Sequence, residues 1–449
     1  MAYHPDTITA IATPAGRGGV GIVRISGVDA KKIALKIIES HTHTHTLTHR
    51  AAHFVKFHNA ENAIIDEGII LFFENPHSFT GEDVVELQSH GSPIVLDQLI
   101  KTAIYHGARM ANPGEFSQRA FLNNKIDLIQ AEAIADLIAA NSEQAARSAV
   151  RSLQGEFSKQ IHILQALLTN LRMQIEAMID FPEEEIDFLS DPRVGELLQK
   201  TIDEVLRVKN TAKQGILLQN GLQVVIVGKP NAGKSSLLNY LSGRDSAIVT
   251  DIPGTTRDIV RESIHVDGMP LHIVDTAGLR ETTDVIEQEG VRRAREQMQQ
   301  ADLILWVVDA TDRDTFTPTP TPTPTISIKN KIDLTAEQPE MIKHDHYTEI
   351  KISIKKNLGM NLLIDAIKNS AGFQSSETNG FIARRRHVDA IERAHALLLH
   401  GQQQLLNNLA GELLAEDLRQ AQLALSEITG AFSSDDLLGK IFSNFCIGK

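Results

Sequence analysis

The residues from Gly228 to Ser235 have the types and spacing that bind a triphosphate chain. They read Gly-Lys-Pro-Asn-Ala-Gly-Lys-Ser, a complete G-x-x-x-x-G-K-[ST] motif. Backbone N–H groups of such a loop surround phosphates, so we expect Lys234 to reach the β- and γ-phosphates and the Ser235 hydroxyl to bind Mg²⁺. The apolar run Val224–Val227 precedes the loop, and Ser236–Asn239 opens a helix after it. This strand–loop–helix order is the context that the motif requires.

Three later segments predict the rest of a guanine-nucleotide site. The first, Asp275–Gly278, offers a carboxylate that can hold Mg²⁺ through water and a glycine N–H that can contact the γ-phosphate. In the second, Asn330–Asp333, a carboxylate can pair with the N1–H and the exocyclic amine of guanine. Adenine presents the opposite pattern, so this residue type selects GTP over ATP. The third, Ser353–Lys355, is a weaker candidate for a base-contacting loop.

The hydrolytic chemistry must differ from that of Ras-type GTPases, in which a glutamine orients the attacking water. Leu279 occupies that place here and cannot form a hydrogen bond. Asn231 and the carbonyl- and hydroxyl-rich loop Thr250–Asp258 supply oxygen ligands that suit a monovalent cation, whose charge could replace an arginine finger. Glu287 could position water, or it could be a solvated helix charge.

Two kinds of element must position these groups. Residues 218–372 alternate strands and helices, with further strands predicted at 303–308 and 326–329 and a hairpin that turns at Asp267-Gly268, which is typical of a doubly wound sheet. Apolar residues recur every three or four positions on both sides of this block, which predicts long helices over 161–178 and 384–428. Residues 1–120 read as mixed α/β, with strands at 22–25 and 69–73.

We therefore predict an α/β multidomain fold with four segments. These are an N-terminal α+β domain (1–120), a discontinuous helical domain (121–217 and 373–449), and a Ras-like P-loop G domain (218–372) inserted into it. The apolar helix faces are predicted to contain Ile161, Leu164, Leu168, Leu171, Ile175 and Met178 in the first part, and Leu398, Leu405, Leu409, Leu413 and Leu425 in the second.

Composition narrows the function classes. The 449 residues are 42% hydrophobic and 22% charged, as in ordinary globular proteins, and no apolar run is long enough to span a membrane. No signal peptide is visible, and Cys446 is the single cysteine, so we expect a reducing, cytoplasmic location. The net charge of −13 disfavours general nucleic-acid binding. Any RNA contact must use a local basic patch, for which Arg384–Arg386 is a candidate, or the surface of a partner.

Two low-complexity segments stand apart. His41–His49 alternates histidine with threonine and is either a polar surface loop or a metal site. Thr317–Thr325 alternates threonine with proline, so it must be extended rather than helical.

Five segments resemble the MnmE (TrmE) family of tRNA-modifying GTPases. Together they extend the resemblance nearly from one end of the chain to the other. They are Asp6–Gly27, Ser78–Gln88, Pro113–Leu128, Asp180–Phe188 and the terminal Phe445–Lys449, which contains Cys-x-Gly-Lys. The resemblance implies a homodimer formed through the N-terminal domain. It also implies a heterotetramer with a FAD-dependent partner, MnmG (GidA), that uses NADH. Together the two proteins modify C5 of the wobble uridine of tRNA to aminomethyl or carboxymethylaminomethyl groups.

The resemblance also implies site residues. A tetrahydrofolate derivative (5-formyl or 5,10-methylene) is expected at Arg24, Glu86, Lys125 and Lys449, potassium at Asn231, Thr250, Ile252 and Thr255, and magnesium at Ser235 and Thr256. Glu287 matches a water-orienting glutamate, and Cys446 is either a nucleophile or a packed thiol. With the motifs above, the predicted GTP-binding residues are Asn231, Ala232, Gly233, Lys234, Ser235, Ser236, Thr250, Asp251, Ile252, Pro253, Gly254, Thr255, Thr256, Asp275, Thr276, Ala277, Gly278, Asn330, Lys331, Asp333, Ser353, Ile354 and Lys355.

Two departures from the family pattern affect the G domain. The Thr-Pro repeat cannot form the helix that usually follows the strand ending at Asp309, and Ile354 replaces a small residue in the last base-contacting motif. The competing function is a regulatory or ribosome-assembly GTPase that binds RNA without modifying it. The N-terminal segments and the Cys446 tail argue against that alternative. Such switches also usually carry a basic RNA-binding module, which this sequence lacks.

Overall fold

A computed structural model describes residues 6–38, 46–140, 142–180, 192–243, 261–275, 298–312, 321–373, 380–408, 411–431, 435–443, 445 and 448. These residues form two compact units, one of 6–135 with 423–448 and one of 136–422. Within these ranges no helix is long and apolar enough to span a bilayer.

The first unit is built on a six-stranded sheet with the order β3-β4-β5-β2-β1-β6. The strands are β1 (Ile8–Ile11), β2 (Gly18–Ser26), β3 (Ala52–His58), β4 (Ile64–Phe73), β5 (Val84–Gly91) and β6 (Arg109–Met110). Neighbours are antiparallel except β1 and β6, which are parallel. Alternate residues of β2 point to opposite faces, so Val23 and Ile25 enter the core while Arg24 faces the other side.

The second unit contains a seven-stranded sheet with the order β12-β13-β11-β10-β7-β9-β8. The strands are β7 (Leu222–Val227), β8 (Arg261–Val266), β9 (Met269–Asp275), β10 (Leu303–Asp309), β11 (Thr325–Asn330), β12 (Glu340–Lys343) and β13 (Thr348–Lys351). The five central strands are parallel, so their carboxyl ends meet at one edge. The hairpin turn at Asp267-Gly268 is confirmed, with positive φ at both residues.

The helices of the described residues include one that covers 161–178, as predicted. They are α1 (Ala30–Ile38), α2 (Pro93–Tyr105), α3 (Glu115–Leu122), α4 (Leu128–Ala139), α5 (Glu143–Leu153), α6 (Glu156–Asp180), α7 (Pro192–Asn220), α8 (Lys234–Ser242), α9 (Ile332–Thr335), α10 (Met360–Ser370), α11 (Arg385–Asn408), α12 (Gly411–Thr429) and α13 (Asp435–Ser443). The long helix over 161–178 is confirmed as α6, and its predicted residues from Ile161 to Ile175 are fully buried.

The predicted single helical face over 384–428 is wrong in one respect. The segment forms two helices, α11 and α12, and the second has its own phase. Leu413 is 52% exposed, whereas Leu414 is fully buried in its place. Leu398, Leu405 and Leu425 are buried as predicted, and Leu409 lies outside the described residues.

Candidate functional site

The loop that follows β7 is shaped by two glycines. Gly228 has φ 149°, and a Cβ atom there would lie 2.2 Å from the carbonyl oxygen of Val307 on the neighbouring strand. Gly233 has φ 109°, and a Cβ there would lie 2.2 Å from Nδ2 of Asn330. Both positions therefore require the absence of a side chain as well as a backbone conformation that other residues rarely adopt.

The lysine of this loop lies across the start of the loop itself. Lys234 begins α8, and its Nζ donates to the carbonyl oxygens of Gly228 at 2.8 Å and Lys229 at 2.9 Å. Ser235, the next residue, is exposed on the first helical turn, where its hydroxyl fits the role of a metal ligand. The loop thus brings an ammonium group, backbone N–H groups and a helix N-terminus to one place, a combination that can bind phosphates.

Asn330 connects the phosphate loop to the base-contacting loops. Its side-chain Nδ2 donates to the Ala232 carbonyl at 2.9 Å, and its Oδ1 accepts from the backbone N–H of Ile354 at 3.2 Å. The Ser353 hydroxyl donates to Oδ1 of Asp333 at 2.5 Å. The structure therefore brings all three loops together at the carboxyl edge of the sheet and fixes the orientation of the Asp333 carboxylate.

The bulk of Ile354 is accommodated beside the phosphate loop. Its Cδ1 lies 3.8 Å from the Cβ position of Gly233, an ordinary van der Waals distance, and the side chain packs partly buried against the core of the sheet. Lys355 lies next to it on an exposed turn.

Two acidic residues at this edge were not anticipated from the sequence, and each accepts a hydrogen bond from a lysine. Nζ of Lys331 donates to Asp309 at 2.5 Å, and Nζ of Lys229 donates to Asp312 at 2.8 Å. Burial opposes ionisation of Asp309, but hydrogen bonds from Lys331 and Thr311 prevail and hold its pKa below the usual value. The available signal was the pair of aspartates directly after a buried strand.

Many predicted residues lie outside the described part of the chain. These are Thr250, Asp251, Ile252, Pro253, Gly254, Thr255, Thr256, Thr276, Ala277, Gly278, Leu279, Glu287, Cys446 and Lys449, together with 317–320 of the Thr-Pro repeat and 41–45 of the His-Thr repeat. Asp275 ends β9, on the strand next to β7.

A second candidate site lies on the sheet of the first unit. Arg24 and Glu86 are direct cross-strand neighbours on β2 and β5. Nε and Nη2 of Arg24 both donate to Oε1 of Glu86, at 3.1 and 2.9 Å, while Nη1 donates to the carbonyl oxygen of Gly448 at 3.3 Å. The guanidinium also lies 5.7 Å from the centre of the Phe116 ring. Four of the segments that resemble the family therefore meet here.

Lys125, the third predicted folate residue, has other contacts in this unit. Its Nζ donates to the carbonyl of Pro76 at 3.0 Å, and its side chain packs beside Gly81. Its described contacts do not include Arg24, Glu86 or Gly448.

A buried charge network on this unit was not anticipated from the sequence. The Arg119 side chain, 5% exposed, pairs with Asp6 at 2.7 Å, Glu115 at 3.0 Å and Glu82 at 3.1 Å. Arg109 pairs with Asp6 and Glu115, both at 2.5 Å. Three carboxylates thus share two guanidinium groups. The i,i+4 spacing of Glu115 and Arg119 on α3 was the one local signal.

The pKa values of Glu82 and Glu115, two carboxyl groups of the network, shift in opposite directions. Burial raises the pKa of Glu82 above its usual value, although Arg119 acts in the opposite sense. Burial also opposes ionisation of Glu115, but hydrogen bonds from Arg109 and Arg119 outweigh that effect and hold its pKa below the usual value. Glu82 further accepts a hydrogen bond at 2.7 Å from Ser26, two residues after Arg24 on β2. The network therefore fixes the strand that carries Arg24.

One residue of the basic segment Arg384–Arg386 forms an ion pair within the second unit. Nη2 of Arg384 donates to Oδ1 of Asp136 at 2.7 Å, and that carboxylate is nearly buried. Arg385 is exposed at the start of α11. The segment therefore includes an ion pair beside the start of α11, which the sequence analysis did not anticipate.

The seven-stranded sheet, with its strand–glycine loop–helix and the loops that converge on it, belongs to the class of P-loop nucleotide-binding domains. Comparisons with known proteins agree with this class. The model of the GTP-binding protein TrmE N-terminus matches residues 7–125, and the model of the MnmE helical domain matches residues 128–446. Proteins described as tRNA modification GTPase MnmE are 58% identical in Coxiella burnetii (strain RSA 493 / Nine Mile phase I), over 100% of both chains, and 56% identical in Hydrogenovibrio crunogenus, over 99% of both.

The chain belongs to the MnmE family, as the matches over its full length show. Among solved structures, Aquifex aeolicus Era Y63A bound to GDP.AlF4- is 26% identical with a TM-score of 0.26, and the match covers 40% of this chain and 67% of that one.

Proposed function

We propose that this protein is a GTP hydrolase that takes part in modifying the wobble uridine of tRNA. The observation that carries the proposal is the convergence of Lys234, Asn330 and Asp333 at one edge of the sheet, with the Asp333 carboxylate oriented by Ser353. A carboxylate in that position recognises the two adjacent N–H donors of guanine. The relatives in Coxiella burnetii and Hydrogenovibrio crunogenus, named tRNA modification GTPases, support the cellular role.

Hydrolysis in this proposal depends on potassium as well as magnesium. Ser235 and Thr256 bind Mg²⁺, while Asn231, Thr250, Ile252 and Thr255 bind K⁺ and Glu287 orients the water. Asn231 is exposed on the phosphate loop with φ 63°, so its amide oxygen is accessible to a cation. A potassium ion supplies positive charge at the transferring phosphoryl group.

The potassium requirement is tested by exchanging the salt. GTP turnover should fall about 10²-fold when K⁺ is replaced by Na⁺ at equal ionic strength, because one stabilising charge is lost from the transition state. Equal turnover in the two salts would contradict the proposed mechanism. Turnover of a GTPase of known salt independence serves as the control.

The modification itself uses a folate one-carbon unit and a FAD-dependent partner. Residues 1–120 form the folate-binding and dimerisation domain, and residues 121–217 and 373–449 form the helical domain around the G domain at 218–372. Arg24 and Glu86, paired on adjacent strands, offer the donors and acceptors that a folate requires. Nucleoside analysis of tRNA from a deletion strain should show wobble uridine lacking the 5-aminomethyl and 5-carboxymethylaminomethyl groups. Unchanged wobble uridine would leave the regulatory GTPase as the remaining function.

A further inference from the structure

The backbone at Gly448 fits against β1 with no room for a side chain. Gly448 has φ 95°, and a Cβ atom on it would lie 2.0 Å from the carbonyl oxygen of Ile11 and 2.9 Å from the carbonyl carbon of that residue. Both atoms belong to the backbone, which cannot rotate away as a side chain could. Any residue other than glycine at this position must therefore lift the chain off the sheet.

The same backbone is held from the other side by Arg24. Its Nη1 donates to the Gly448 carbonyl at 3.3 Å, while Nε and Nη2 bind Glu86. A single planar guanidinium thus joins β2, β5 and the C-terminal segment, an arrangement that a lysine ammonium, as a compact point charge, cannot reproduce. Arg24 and Gly448 are 424 positions apart in the sequence.

The segment that leads to Gly448 is anchored in the same unit by aromatic packing. Phe445 is buried and packs against Phe442, with ring centres 5.3 Å apart. Gly114, in the left-handed conformation before α3, allows this approach, because a Cβ on it would lie 2.6 Å from the Phe442 carbonyl oxygen. Phe445 and Gly448, the two described residues of the C-terminal tail, therefore each have defined contacts in the first unit.

We propose that Gly448 is a positioning residue that completes the ligand site of the first unit, and that Arg24 holds the Gly448 carbonyl in place there. This inference rests on the proposed use of a folate one-carbon unit. It gives Arg24 a second role beside the direct contact with the folate that is proposed above. The backbone of Gly448 becomes part of the wall of the site beside the Arg24–Glu86 pair.

Hydrogen exchange and mass spectrometry on the full-length protein, without ligand, test whether the backbone at Gly448 is held against β1. Gly448→Ala and Arg24→Lys should increase the exchange rate of the C-terminal peptide about ten-fold or more, since its backbone contacts are lost. Gly439→Ala is the matched control: it lies on α13 in the same part of the chain, and a Cβ there would contact nothing within 4 Å. Unchanged protection of the peptide in Gly448→Ala would overturn the proposal.

Calorimetric titration with 5-formyltetrahydrofolate tests the effect on the ligand. Both variants should raise Kd about ten-fold or more with an unchanged stoichiometry per chain, whereas simple loss of folded protein would lower the stoichiometry and leave Kd in place. A released segment combined with a Kd like that of Gly439→Ala would overturn the positioning role. If the unmodified protein shows no saturable binding, the folate part of the proposed function is rejected and the ligand part of this inference falls with it. The exchange experiment still decides whether Gly448 is seated.

Discussion

The two candidate sites of this chain are built in opposite ways. The nucleotide site is made mostly of backbone: Gly228 and Gly233 adopt conformations that place N–H groups and carbonyls, and one short segment carries most of the groups that can contact phosphate. The site of the first unit is made of side chains from distant segments, with Arg24, Glu86 and Gly448 brought together by the fold. The first site therefore depends on local conformation, and the second depends on buried charge and on the whole unit being folded.

The largest expected effect comes from removing the central charge of the first unit. Arg119→Met removes the guanidinium that pairs with Glu82 and leaves Asp6 and Glu115 with Arg109 alone. Because the side chains of Glu82 and Glu115 are largely buried, we expect a loss of about 3–5 kcal/mol in the free energy of unfolding. Urea unfolding measures the loss in the free energy of unfolding, and hydrogen exchange locates it in β2 and β5. The control is Arg109→Met, whose side chain is 43% exposed and should cost less. Equal losses in the two variants would show that burial does not set the contribution of Arg119.

Adding one methyl group should disable the nucleotide site. In Gly228→Ala the new Cβ would overlap the carbonyl oxygen of Val307, so the loop must move away from β10. We expect GTP affinity to fall about 10²-fold, or about 3 kcal/mol. Titration with a fluorescent, non-hydrolysable GTP analogue gives the value. Gly195→Ala, on α7 with open space around its Cβ position, should bind as the unmodified protein does. An affinity within three-fold for Gly228→Ala would contradict the backbone account.

These two variants also show what the sequence could and could not predict. The phosphate loop was predictable because its glycines, lysine and serine are contiguous and their spacing alone defines the backbone shape. The base-contacting residue Asp333 was predictable for the same reason. The charge network was not, because Asp6, Glu82 and Glu115 are far apart in the sequence and acquire a shared partner only in the folded sheet.

Helix content was predicted well, and helix phase less well. The apolar period identified α6 because one uninterrupted stripe is buried along it. The same reasoning placed Leu413 on the buried face, although the break between α11 and α12 restarts the period and buries Leu414 instead. The apolar period of one helix does not predict which face of the next helix is buried. The role of Gly448 was also invisible, since its requirement comes from a backbone oxygen on β1.

Acidification should weaken the charge network of the first unit. The lowered pKa of Glu115 means that its contribution to stability is complete above about pH 4.5 and is lost as the pH falls through the lower, folded-state value. Arg109→Gln removes one cause of the lowering. Its destabilisation, about 1 kcal/mol because Arg109 is partly exposed, should therefore be present at pH 7 and shrink below pH 4.5. Urea unfolding at pH 7, 4.5 and 3.5 measures this. A destabilisation that is the same at all three pH values would contradict the assigned partner.

The smallest effect is expected at the exposed ion pair beside the nucleotide site. Lys229→Met breaks the ion pair with Asp312, in which the lysine side chain is 57% exposed, and pairs of this kind contribute about 0–1 kcal/mol. GTP affinity should fall by about three-fold or less, and the difference should vanish in 1 M salt because exposed charges are screened. A loss of ten-fold or more would show that side chains as well as backbone build this site.

The central claim, that both sites serve one tRNA modification, is tested most directly by nucleoside mass spectrometry on tRNA from a deletion strain that expresses each variant at equal level. The unmodified protein and Gly439→Ala should restore the modified wobble uridine. Gly228→Ala and Gly448→Ala, each altering one site, should both leave it unmodified or strongly reduced. Full modification with either of these two variants would contradict the account, because one of the two sites would then be dispensable.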